Sequence, residues 1–244
     1  MILCAKNNIL YYETILACLR IYLKPINNGV KKMYAYSARN EHMPAVLRTF
    51  ALSLAIAFVG TLAGNYIPAS LFLPLSILEI VLLIIAFFLR KGKALSYSFL
   101  YTFTFISGIT TYPIVAHYIS TIGANLVLTA FGTTTVIFGG LAVYATTTKR
   151  DLSFLGGMLM AALLALIAIS IFNIFWPLNS TAMLAYSFIG VLVFSGYVLF
   201  DFNRMKHYGM SAEQVPLMAL NLYLDFINLF INILRIFGIL SSKD

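Results

Sequence analysis

The strongest constraint in this chain is where its charge is missing. No Asp, Glu, Lys or Arg occurs from Thr49 to Leu78, from Ala94 to Thr148, or from Leu152 to Phe200. The last two runs are 55 and 49 residues long. A helix that crosses a bilayer needs about 20 mainly apolar residues, because lipid offers no partner for backbone N–H and C=O groups. Each of these two runs holds two spans and a turn. The first run, interrupted only by Glu79, continues to Leu89 and holds two more. A final apolar segment near Pro216–Leu240 holds one, which makes seven. Composition agrees: with 61% hydrophobic and 10% charged residues, the chain lacks the polar surface that a water-soluble body of 244 residues needs. The expected fold class is an all-α integral membrane protein with seven transmembrane helices. A β-barrel would show short alternating strands in place of long unbroken runs.

Turn residues place the boundaries. The spans are expected near Pro44–Thr61, Ala69–Leu89, Ala94–Ala116, Ile122–Thr146, Leu152–Ile174, Thr181–Met205 and Val215–Leu240. The formal net charge of +8 then becomes informative. Lys and Arg fall in the N-terminal segment, at Arg90, Lys91 and Lys93, at Lys149 and Arg150, and at Arg204 and Lys206, while the alternate loops carry none. That is the positive-inside pattern. It predicts a multi-pass membrane protein with its N-terminus in the cytoplasm and its C-terminus outside. The bilayer is the expected partner. Such short basic loops set topology and offer no nucleic-acid surface. A monomer is expected, with oligomers left open.

Residues 1–42 read as a basic extension, flexible or dependent on the choice of start site, ahead of a membrane domain at 43–244. Ile9–Leu23 is apolar but short, and Glu13 and Arg20 interrupt it. An amphipathic surface helix is the alternative for this segment. Both cysteines, Cys4 and Cys18, lie here, and a disulfide is not expected on the cytoplasmic side.

Three acids fall inside expected spans: Glu79, Asp201 and Asp225. An ionisable group at mid-membrane costs at least about 2.5–3.5 kcal/mol and usually faces a cavity or a partner. In the seventh span Asn221, Asp225, Asn228, Asn232 and Arg235 recur at spacings of 4, 3, 4 and 3, so they share one narrow arc of a helix. The stripe reads either as a wet path or as a hydrogen-bond seam between helices. Asp201 and Asp225 both fall in the cytoplasmic halves of neighbouring antiparallel spans and could meet. Two desolvated carboxylates cannot both ionise cheaply, so the pair would share a proton and titrate together. Deprotonated, it presents oxygens suited to Ca2+. Alternatively, Asp201 simply pairs with Arg204 one turn away. Glu79 either lines the same cavity or stays protonated against a hydroxyl of the third span. Arg90 either snorkels to the interface or pairs with Asp201. Gly139-Gly140, Gly156-Gly157 and Gly190 are expected to allow close helix contacts, and Pro113 to bend the third span.

No metal-protease, phosphate-loop or nucleophile-elbow motif occurs. The expectation is a non-enzyme with no cofactor.

From about Met43 to Asp244 the chain resembles the Bax inhibitor-1, or transmembrane Bax inhibitor motif, family, and especially its small bacterial members. The resemblance is carried by Leu73-Pro-Leu-Ser-Ile-Leu-Glu79, Phe105-Ile-Ser-Gly-Ile-Thr110, Phe172-Asn-Ile-Phe175, Tyr197-Val-Leu-Phe-Asp201 and Asn221-Leu-Tyr-Leu-Asp-Phe-Ile-Asn-Leu-Phe-Ile-Asn-Ile-Leu-Arg235. It implies a central seventh helix wrapped by the other six and a pH-sensitive leak that passes Ca2+ down its gradient. It further implies that Asp201 and Asp225 are the proton sensor and gate, Arg90 a latch and Glu79 a pore-region acid. A proton-coupled cation transporter and a non-transporting regulatory scaffold remain the alternatives.

Overall fold

The computed structural model describes residues 42–89 and 95–241. Residues 1–41, with both cysteines, and residues 90–94, with Arg90, lie outside the described residues. Seven helices account for nearly all the rest: α1 Met43–Gly64, α2 Phe72–Leu89, α3 Tyr97–Ile122, α4 Ala124–Thr147, α5 Leu155–Phe175, α6 Ser180–Tyr208 and α7 Val215–Ser241. All seven are long and apolar enough to cross a membrane, and no strand occurs among the described residues.

Local chemistry sets the ends. Ser96 and Asn179 cap α3 and α6 by accepting from the N–H groups of Phe99 (3.1 Å) and Ala182 (2.8 Å), which satisfies donors that a helix start leaves orphaned. One residue, Gly123, separates α3 from α4. Its φ of +85° reverses the chain in a conformation that side chains with a Cβ avoid. The helix α3 runs through Pro113 to Ile122, past its expected end at Ala116. Spanning helices tolerate a proline where packed neighbours compensate for it. The start of α5 is later than expected because two amides are satisfied outside a helix. Leu152 N donates to Asn203 Oδ1 (2.8 Å) and Ser153 N to Asp151 Oδ1 (2.9 Å).

The organising element is α7, buried at every residue from Val215 to Ile236. It packs directly on α1, α3, α4 and α6, while α2 and α5 join the bundle mainly through α3 and α6. Phe226 anchors it in a ring of aromatics with Phe50 of α1 and Phe131 and Phe138 of α4. Outward-facing Phe58, Leu128, Val136 and Leu192 are each more than half exposed, as a lipid-facing surface requires.

The glycine expectations need correction. Gly156 and Gly190 do sit against neighbours, Phe200 and Asn232 respectively. Gly139, Gly140 and Gly157 open onto empty space on the outer surface. The closest backbone approach is instead between α1 and α3. There a Cβ at Gly60 would meet the Phe105 carbonyl oxygen at 2.3 Å, and one at Gly108 the Ala57 carbonyl oxygen at 2.0 Å. Without water, helices gain by close packing of small residues. Thr61 uses this proximity to donate its hydroxyl to the Gly108 carbonyl (3.1 Å).

Candidate functional site: two polar faces of the central helix

The polar stripe of α7 faces α6. Asn232 lies against Gly190, whose missing side chain makes the room. Arg235 stands over the ring of Tyr186, 5.7 Å from its centroid, and Tyr186 in turn shares a 2.6 Å hydrogen bond with Ser170 of α5. Asn221, Asp225, Asn228, Asn232 and Arg235 are all buried, Asp225 completely. On α6, Tyr186, Gly190 and Asp201 fall within about 60° of one another at 100° per residue, so Asp201 shares the face that meets α7. The two contacts also fix an antiparallel register. Extended along the helices, it sets Asp201 opposite Asn221, one turn or about 6 Å along the axis from Asp225. Asp201 is buried, and Arg204 is near enough to act on it electrostatically. Among the described residues no three His, Cys, Asp or Glu converge. A calcium ion at the aspartates would thus draw its remaining ligands from amide oxygens or water.

Asn228 and Asn232 are held by their own helix. Each amide nitrogen donates to the carbonyl four residues back, Leu224 O (2.7 Å) and Asn228 O (2.8 Å). Their Oδ1 atoms, like that of Asn221, accept no hydrogen bond.

The second face turns the other way. Tyr223 precedes Asp225 by two residues, about 200° around the helix. Its ring packs edge-on against Phe103 of α3, 6.3 Å between centroids. Beside it lie Ser107 of α3 and Glu79 of α2. Glu79 is buried, and its Oε2 lies 2.6 Å from the Thr110 hydroxyl. Glu79 therefore pairs with a third-helix hydroxyl, one of its two expected settings, on the side of α7 away from the aspartate stripe.

At the basic end, Asn203 ties α6 to the α4–α5 loop. Its Oδ1 accepts from Leu152 N, and its Nδ2 donates to the carbonyls of Arg150 (3.0 Å) and Ala145 (3.4 Å). Lys206 donates to Thr148 O (2.6 Å), and the Tyr208 hydroxyl donates to Asp151 Oδ2 (2.9 Å). Partial burial pushes the Asp151 carboxyl up. The Ser153 and Tyr208 hydrogen bonds and nearby His207 outweigh this and hold it below the usual carboxylate range.

The sequence that folds this way matches a described family. The family model "Inhibitor of apoptosis-promoting Bax1" fits residues 39–242. The chain belongs to the Bax inhibitor family. A Helicobacter pylori protein with no described function is 36% identical over 200 residues, 80% of this chain and 85% of that protein. The inner membrane protein YbhL of Escherichia coli is 40% identical over 124 residues, 47% of this chain and 53% of its own. Bax inhibitor 1 of Schizosaccharomyces pombe is 37% identical over 150 residues, 61% and 54% of the two chains. This Bax inhibitor family chain is thus a multi-pass membrane protein.

Sequence reasoning singled out the acids and the stripe but not the particular residues that meet them or that tie the helix ends. Thr110, Tyr223, Tyr186 and Asn203 each act across helices, and the pairing depends on a register that spacing along one helix does not reveal. For Thr110 the signal was present, since it ends the Phe105–Thr110 stretch that carries the resemblance.

Proposed function

We propose that this family member is a pH-sensitive calcium leak, gated where α6 meets α7. What supports the reading is the α6–α7 register, which, extended along both helices, sets two buried aspartates about one turn apart beside the amide stripe of α7. In a low-dielectric site such a pair keeps one proton between them. That shared proton holds α6 against α7. Its loss leaves two carboxylates whose repulsion a divalent cation relieves, so proton and calcium compete for one place. Arg90, assigned as the latch on Asp201, rests on the resemblance alone. The charge rule supports a cytoplasmic N-terminus and puts the aspartates in the cytoplasmic half.

The test is calcium flux into liposomes as a function of pH. The wild-type chain should show flux that titrates with pH, and Asp201→Asn with Asp225→Asn should flatten that profile. An unchanged profile in the double variant refutes the sensor assignment. The names of the relatives favour a second reading, a regulatory scaffold without transport. It predicts no flux from the purified protein and full biological function after both aspartates are neutralised.

A further inference from the structure

Asn228 carries a buried oxygen that no group in the bundle serves. Its side chain is almost wholly buried, and its Nδ2 donates to the Leu224 carbonyl at 2.7 Å. Only the nitrogen of an amide can donate to a carbonyl, so this bond fixes which way the group is turned. The oxygen, Oδ1, accepts no hydrogen bond. Nor does the residue across the interface offer one. Gly190 against Asn232 and Tyr186 under Arg235 set an antiparallel register, which one turn further along puts Phe194 opposite Asn228. A phenyl ring has no N–H or O–H to donate. A buried amide oxygen left in this state is costly unless something else approaches it. Asn232 has the same back bond, at 2.8 Å, and the same unserved oxygen, but the Gly190 backbone closes the space in front of it. Asn228 is thus the last amide of the stripe before that seal.

We infer that Asn228 Oδ1 is a cation ligand, and that Asp225 and Asn228 together hold a hard divalent cation of the calcium class. Asp225 precedes Asn228 by three residues, on the same face and about 4.5 Å away along the axis. Ca2+ holds its ligands at about 2.3–2.6 Å and takes amide and carboxylate oxygens alike, so one ion spans this pair, with water completing its shell. Asn221 lies about 6 Å to the other side of Asp225, level with Asp201, and about 10.5 Å from Asn228, too far for one ion to touch both amides. The stripe therefore holds two successive positions that share Asp225, one beside Asp201 and Asn221 and one beside Asn228. An ion steps between them by exchanging one oxygen neighbour for the next. Passage needs adjacent sites of this kind, firm enough to enter and weak enough to leave. The choice of ion rests on the leak reading above.

The two polar atoms of the Asn228 side chain separate a ligand from a packing residue. A packing role uses Nδ2, which ties the side chain to its own helix, and a ligand role uses Oδ1. Asn228→Asp keeps an oxygen and removes the donor, whereas Asn228→Leu removes both. Calcium binding is measured by isothermal titration calorimetry on the full chain purified in detergent, with far-UV circular dichroism and elution volume as checks on folding. Asn228→Leu should bind Ca2+ at least tenfold more weakly than the wild type, and Asn228→Asp at least as tightly as the wild type. Asn228→Ala takes the place of the leucine variant if the larger side chain does not fold. The inference is overturned if the wild-type chain binds no Ca2+, or if the apolar variant binds it as the wild type does. It is equally overturned if Asn228→Asp loses binding together with the apolar variant, because the nitrogen is then the atom that matters. Binding in detergent needs no flux, so a chain that binds Ca2+ through Asn228 yet passes none in liposomes refutes the leak reading alone.

Discussion

Replacing Gly108 by alanine should be among the most damaging one-carbon changes available in this chain. The new Cβ would stand 2.0 Å from the Ala57 carbonyl oxygen and 2.9 Å from the Ala57 Cα. Carbon–oxygen contacts between packed helices settle near about 3.3 Å, so α1 and α3 would have to part by about 1.3 Å. Both obstructing atoms belong to helical backbone and cannot rotate away. Overpacking of this kind costs about 1–3 kcal/mol. The same displacement breaks the bond from Thr61 to the Gly108 carbonyl, worth about 1 kcal/mol. The expected total is about 3 kcal/mol. Gly139→Ala is the matched control, because nothing lies within 4 Å of its added Cβ. There alanine's better helix propensity should leave stability equal or raise it by up to about 1 kcal/mol. Thermal unfolding in one detergent, followed by loss of the monodisperse peak, compares the two. If Gly108→Ala melts with the wild type or above Gly139→Ala, the α1–α3 seam is not a packing determinant and the argument is wrong.

Asn203→Ala should cost about 2–3 kcal/mol, because it strands the buried Leu152 amide and frees two carbonyls at the α4–α5 turn; faster proteolytic nicking near Arg150 would register it. Gly123→Ala forces a Cβ into a left-handed φ at the only residue between α3 and α4, a strain of about 1–2 kcal/mol that should lower the melting temperature although the position itself is spacious. The Asp151 clasp carries a pH signature. Its carboxyl is depressed in the folded chain, so its contribution is complete above the unfolded value of 3.8 and is lost as pH falls through the lower folded value. Tyr208→Phe should return the Asp151 titration toward 3.8, read by carboxyl NMR, and an unmoved titration would remove Tyr208 from the clasp.

The seven spans were legible because the membrane imposes one rule on every stretch of backbone. Charge must be absent for some twenty residues, and sequence shows absence directly. The polar arc of α7 was legible for a related reason: spacing on a single helix is a one-dimensional property. The α1–α3 seam was not read, although Gly60 and Gly64 stand four apart as a small-residue contact motif would place them. The paired glycines at 139–140 and 156–157 drew attention instead, yet three of those four face outward. Glycine marks where a side chain is missing and says nothing about which face of the helix meets a neighbour. Glu79 had two possible settings from sequence alone, and only the pairing of α2 with α3 selects the Thr110 hydroxyl.

That pairing information also bears on whether the α7 stripe is a path or a seam. A path needs acceptor oxygens facing a space. Asn221, Asn228 and Asn232 all keep an oxygen without a donor, which favours cations along the stripe. Asn232, however, has no space in front of it. A single methyl group added at Gly190 would fall 2.4 Å from its oxygen and 2.8 Å from its nitrogen. One turn further toward the C-terminus, the Arg235 guanidinium covers the Tyr186 ring. From Asn232 onward the stripe is therefore a packed seam, with a fixed positive charge behind it that repels any cation. A conduit on this face is confined to the stretch from Asn221 to Asn228 that includes Asp225, and it ends blind at Gly190 as long as α6 stays in contact. A gate that acts by releasing α6 from α7 must open this contact as well as the aspartate pair. On the proposed leak reading, the Gly190–Asn232 contact is a second closure that any release of α6 from α7 has to undo.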